Sequence, residues 1–171
     1  MRLVMKLSAV LLSCVIGAAA MAQDGLADHK LALQISDNNP QKMNTVLNVA
    51  ANVVRHYEGL GETIEVRVVA FNAGLHMLRE DTSPVLERLE SFSASMPNVS
   101  FAACANTISG MTKKEGKAPP IVAMAETVPA GVVDLMTLDE NGWTLVRPQA
   151  GHPERGRERL CATYVLGLDC P

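Results

Sequence analysis

The chain carries too little positive charge for a nucleic-acid partner. Fifteen lysines and arginines face 18 acidic residues among 171, a net charge of −3, whereas such partners call for a clustered basic excess. Beyond the amino terminus no stretch approaches the roughly 18 to 20 apolar residues of a membrane helix, so no membrane span is expected in the mature chain. The sequence has no C-x-x-C motif, and His56 and His76 fall in helical segments without ligands at metal spacing. Packing or surface roles are therefore expected for both, and neither a metal nor a cofactor. Internal repeats and low-complexity tracts are absent as well, and the length suits one core, with no room for a second full domain.

What is present starts with an export signal. Residues 1–22 set Arg2 and Lys6 ahead of an apolar run over 7–16 and end on Ala20-Met21-Ala22, the order of a cleavable signal peptide. A lipid-attachment site at Cys14 is the rival, disfavoured because apolar Val15 and Ile16 would follow the cut. Cleavage near Ala22 implies a periplasmic or secreted protein of 149 residues; taking Arg2 and Lys6 from the 15 basic residues leaves 13 against 18 acidic, a net charge of −5. Cys104, Cys161 and Cys170 remain, an odd number in a compartment that favours disulfides. A Cys161–Cys170 bridge would contribute up to about 2.7 kcal/mol by loop entropy. The alternative is a pair of free surface thiols, and in either case Cys104 is the thiol to explain.

The hydrophobic pattern alternates between strand and helix. Residues 30–35 read as a strand that stops at Asp37-Asn38-Asn39-Pro40. Asn39 suits a helix cap and Pro40 the first helical position, after which Met43, Val46, Leu47, Ala50, Val53, Val54 and Tyr57 recur at steps of three and four. Gly59 and Gly61 close that helix, and residues 64–71 form a β-branched second strand. Strand, helix, strand is a βαβ unit, which makes the two strands parallel. A tight turn at Asn72-Ala73-Gly74 leads to a short helix over 75–79, Ser83-Pro84 starts another helix, and residues 99–103 form a nearly uncharged third strand running into Cys104. A helix over 105–111, a polar loop over 112–117, a strand over 121–125, a helix from Val128-Pro129 to about Leu138 and a strand over 143–146 complete the pattern. Five strands with intervening helices predict an α/β, doubly wound, mostly parallel sheet with helices on both faces, spanning residues 23–148. Residues 149–171 read as a charged linker and tail.

In open parallel sheets, ligands gather outside the carboxyl ends of the strands, and Cys104 falls at that edge. Unpaired backbone N–H groups and the following helix dipole there favour a thiolate. An ordinary thiol near pKa 8.5 is about 3% ionised at pH 7; a drop of two units makes it about three-quarters thiolate. The other reading of Cys104 is a small buried apolar residue, and sequence physics leaves both open. Glu126 reads as a solvated carboxylate. Lys113, Lys114 and Lys117 read as a wet loop, with guidance of an anion toward Cys104 as the alternative.

The segments Asp37-Asn38-Asn39-Pro40, residues 68–75 (VVAFNAGL), residues 99–107 (VSFAACANT) and residues 128–132 (VPAGV) together resemble the DsrE/DsrF-like family of sulfur-relay proteins. The similarity covers residues 29–148 and is sharpest over 101–107. It implies a flavodoxin-like three-layer fold, assembly into homo-oligomers, and a cysteine that carries sulfur as a persulfide between donor and acceptor thiols. That role would fall on Cys104, with Asn106 and Thr107 shaping the pocket and Asn72 and Gly74 lining it. Where the family often has a histidine-glycine pair, this chain has Asn72-Ala73. A non-catalytic binding or assembly module of the same fold is the alternative.

Overall fold

A computed structural model describes residues 27–149. The proposed signal peptide, Cys161 and Cys170 lie outside these residues. Five parallel strands form one sheet: β1 His29–Ile35, β2 Ile64–Ala70, β3 Val99–Cys104, β4 Ala125–Val128 and β5 Thr144–Val146, in the order β4-β3-β2-β1-β5. The connecting helices are α1 Pro40–Leu60, a 3-10 helix Asn72–Leu78, α2 Leu86–Ser95, α3 Ala105–Glu115 and α4 Gly131–Glu140.

This order explains where the helices lie. From β1 to β4 the chain steps across the sheet in one direction, so right-handed crossovers put the first four helices on one face. The return from β4 to β5 runs the other way and puts α4 on the opposite face. Two core clusters reflect the division. Leu33, Ile35, Val66, Val68, Val99 and Phe101 meet Met43, Leu47 and Val54 of α1, Leu75 and Leu78 of the 3-10 helix, and Leu89 of α2. The alternate strand residues Ala32, Val69, Ala102 and Cys104 meet Leu135 of α4 on the other face, as the two-residue period of a strand requires. Fold and layers are flavodoxin-like, and the sheet places β5 beside β1.

Local chemistry accounts for the element ends. Asn39 Oδ1 accepts a hydrogen bond from the Lys42 N–H at 3.0 Å, Pro40 opens α1, and Gly61 at φ 75° ends it; Gly59 is within the final turn. Several expectations shift, among them the start of α2, which is at Leu86 rather than at Ser83-Pro84. The polar run 112–115 is the last turn of α3 rather than a loop. The fourth strand is Ala125–Val128, four residues later than its most apolar stretch. Ile121 instead bridges Arg79 antiparallel, and Val122 is buried against the first core. An edge strand tolerates Glu126 and Thr127 facing water, so its composition hides it. Val128 pairs with Cys104, which keeps Pro129 outside α4; that helix starts at Gly131.

Candidate functional site

The site follows from that topology. The chain leaves β3 toward α3 on one face and leaves β4 toward α4 on the other, so the two loops diverge and open a crevice at the carboxyl edge between β3 and β4. Cys104 ends β3 and is the residue from which α3 starts. It is 5% exposed and belongs to the smaller core cluster with Phe71, Val128 and Leu135. It also lines a cleft of about 710 Å³, so its sulfur meets solvent through that cleft.

Burial pushes the Cys104 thiol up, but hydrogen bonds from the Thr107 hydroxyl and from the Gly131, Thr107 and Asn106 N–H groups outweigh it and hold the thiol below its ordinary value. Two of these amides belong to the first turn of α3, where the dipole favours negative charge; the Asn106 N–H also donates to the Pro129 carbonyl at 3.3 Å. The third comes from the start of α4, across the crevice. The Thr107 hydroxyl is itself oriented: Thr107 Oγ1 accepts from the Asn72 N–H at 3.0 Å, leaving its proton for the sulfur. Asn72 has φ 49°, the left-handed region, which asparagine enters more readily than most residues.

Cys104, Asn72, Asn106 and Thr107 are thus brought together around one cleft. Gly74 is not part of it. Gly74 is buried with its Cα against the end of β1, where an added Cβ would lie 2.3 Å from the Ile35 carbonyl oxygen and 2.7 Å from the Ser36 nitrogen. Its place in the Phe71 to Leu75 stretch therefore reflects backbone crowding and not ligand contact. Gly131 has a related role: a Cβ there would lie 3.1 Å from Phe71, so glycine lets α4 bring its N–H close to the sulfur.

Several lining residues had no clear sequence signal. His76, read as a packing or surface residue, faces the cleft with Nδ1 2.9 Å from Thr82 Oγ1. Gly110, Met111, Lys114 and Glu115 form its floor along α3. Their spacing from Thr107, at steps of three and four, is the signal that places them on one helix face once α3 is extended through Glu115. Glu115 is held by Arg79, whose guanidinium reaches it at 2.6 and 3.0 Å and also grips Asp81. Glu126 is solvated and pairs with Arg67 at 2.9 Å. His56 sits edge-on to Tyr57 at the other end of the sheet, beside a second hollow of about 390 Å³. Among the described residues no group of three or more His, Cys, Asp or Glu side chains could hold a metal ion, and no helix is long and apolar enough to cross a membrane.

No family model and no curated protein matches the sequence. Among solved structures the chain is similar to MTH1491 from Methanobacterium thermoautotrophicum, a protein of unknown function, with a TM-score of 0.60 and 21% identity over 71% of this chain and 100% of that one. At that identity the likeness establishes the α/β fold of the chain.

Proposed function

We propose that this protein is an exported sulfur carrier of the DsrE/DsrF-like kind, with Cys104 as the carrying residue. The observation that supports this most directly is a cysteine at the start of a helix on the wall of a cleft, whose thiol the Thr107 hydroxyl and nearby backbone N–H groups hold below its ordinary value. Such donors stabilise a thiolate, and a thiolate is the nucleophile that attacks sulfane sulfur. In the transfer, the Cys104 thiolate attacks the outer sulfur of a persulfide R–S–SH. A new S–S bond forms at Cys104, the donor's S–S bond breaks, and its electron pair leaves on the inner sulfur as R–S⁻. Oxidation levels are exchanged between the two partners, so no external oxidant enters. An acceptor thiolate then repeats the step on the Cys104 persulfide.

Treating the purified protein with a persulfide donor and measuring the mass of the Cys104 peptide tests the reading. A gain of about 32 Da, absent in Cys104→Ser, is expected. An alkylatable Cys104 that takes up no sulfur would end it.

An assembly role has separate support. On α4, Val132, Val133 and Met136 are 53%, 58% and 58% exposed, an apolar face of the kind that marks association surfaces. Val132 also lines the Cys104 cleft, so a homo-oligomer formed through α4 would border the site. In the non-catalytic version of this reading Cys104 is structural, and Cys104→Ser would leave ligand binding and assembly unchanged.

A further inference from the structure

The cleft is longer than an inorganic sulfur donor needs. Its floor follows α3 from Asn106 and Thr107 through Gly110 and Met111 to Lys114 and Glu115. At 1.5 Å per residue, Thr107 to Lys114 spans about 10 Å. The 3-10 helix supplies the facing wall through Asn72, Ala73 and His76. A volume of about 710 Å³ falls within the range that holds drug-sized organic ligands, and three extended peptide residues span about 10 Å.

The charge along this groove is arranged unevenly. At the Cys104 end are backbone amides. At the far end Glu115 is occupied by Arg79 at 2.6 and 3.0 Å, while Lys114 forms no ion pair among the described residues. His76 has Nδ1 engaged by Thr82, and among the described residues its Nε2 has no protein partner. The donors left for a ligand at that end are thus an ammonium and an imidazole, which suit a carboxylate. Gly110 keeps the middle of the floor open: a Cβ added there meets nothing within 4 Å.

We infer that the groove along α3 binds an elongated, carboxylate-bearing low-molecular-weight thiol, tripeptide in size, and presents its persulfide to Cys104. The inference rests on the carrier reading of Cys104 and names its donor class. The thiol sulfur lies beside the amides at the start of α3, and a distal carboxylate reaches Lys114 and His76. Gly110 and Lys114 determine which donors fit; neither touches the reacting sulfurs.

Glutathione persulfide and inorganic disulfide are the two probes, and the readout is the ratio of their rates of sulfur transfer to Cys104. Gly110→Leu, which fills the floor, and Lys114→Gln, which removes the ammonium, should each lower that ratio about tenfold, the effect of one lost charge-assisted contact or its steric equivalent. Labelling by both probes with an unchanged ratio in both variants would overturn the groove and leave the carrier reading standing. Should neither probe label Cys104, the carrier reading falls, and the groove is decided by S-methylglutathione, which cannot transfer sulfur. Its binding to Cys104→Ser, lost when Gly110→Leu is added, supports the groove; no binding to Cys104→Ser overturns it.

Discussion

Thr107→Val tests the contribution of one hydroxyl to the Cys104 thiolate, because valine keeps the shape of threonine while removing the donor to the sulfur and, with it, the acceptor for the Asn72 N–H. In the folded protein that hydroxyl accepts from the Asn72 N–H and donates to the sulfur. A hydrogen bond to a charged group contributes about 1.5 to 3 kcal/mol, and one pKa unit corresponds to about 1.4 kcal/mol. Loss of the bond should raise the titration midpoint of Cys104 by about 1 to 2 pH units, with the three amides still holding part of the depression. The assay is the pH dependence of iodoacetamide alkylation, read on the Cys104 peptide by mass so that other thiols do not contribute. Below the wild-type midpoint the variant should react about tenfold more slowly for every pH unit by which its own midpoint has risen. Thr107→Ser keeps a hydroxyl and should titrate close to wild type. Stability supplies a second readout. A thiol whose folded pKa is depressed adds stability above its unfolded pKa, near 8.5, and loses it as pH falls through the folded value. Thr107→Val should therefore cost more stability at alkaline than at mildly acidic pH. A midpoint within about 0.3 pH unit of wild type, or a wild-type midpoint at or above about 8.5, would refute the thiolate stabilisation described for the site.

Gly74→Ala should destabilise the fold by about 3 kcal/mol in chemical denaturation, because the new methyl group meets backbone atoms of Ile35 and Ser36 that have no room to give; a cost under about 0.5 kcal/mol would mean that the β1 end moves freely. Arg79→Met should lower the thermal midpoint at pH 7. Asp81 and Glu115 are both held below the carboxylate range by hydrogen bonds from Arg79, so their contribution is present above their unfolded pKa values and fades as pH falls through the depressed ones. The gap between wild type and variant should accordingly close in acid, and a gap that widens there would contradict a stabilising role for these ion pairs. Met136→Lys on the exposed face of α4 should leave the unfolding midpoint unchanged and, if α4 joins copies of this chain, reduce the sedimentation coefficient to that of a monomer.

Local sequence signals were enough for much of this architecture. Asn39, Pro40 and Gly61 bound α1 by capping chemistry that acts within a few residues, and the β-branched run over 64–70 reads as strand wherever it is placed. The position of Cys104 at the end of an uncharged strand was legible for the same reason. Signals of this kind fail at the edge of the sheet. In β4, Glu126 and Thr127 are allowed because one side meets solvent, while the more apolar 121–124 stretch is used for packing beside it. Gly74 misleads in the opposite direction, since a glycine beside a candidate site is equally compatible with a ligand and with a neighbouring carbonyl.

The residue sequence by itself therefore determined the order of strands and helices and the cysteine worth explaining, because periodicity, caps and turns are interactions between near neighbours. Only the tertiary structure decided what surrounds that cysteine. The reversal of direction after β4 brings the Gly131 N–H to a sulfur 27 residues earlier in the chain, and the packing of the 3-10 helix beside α3 places His76 across a groove from Lys114. Contacts between segments so distant depend on which strands become neighbours, and that is settled by burying both faces of the sheet at once.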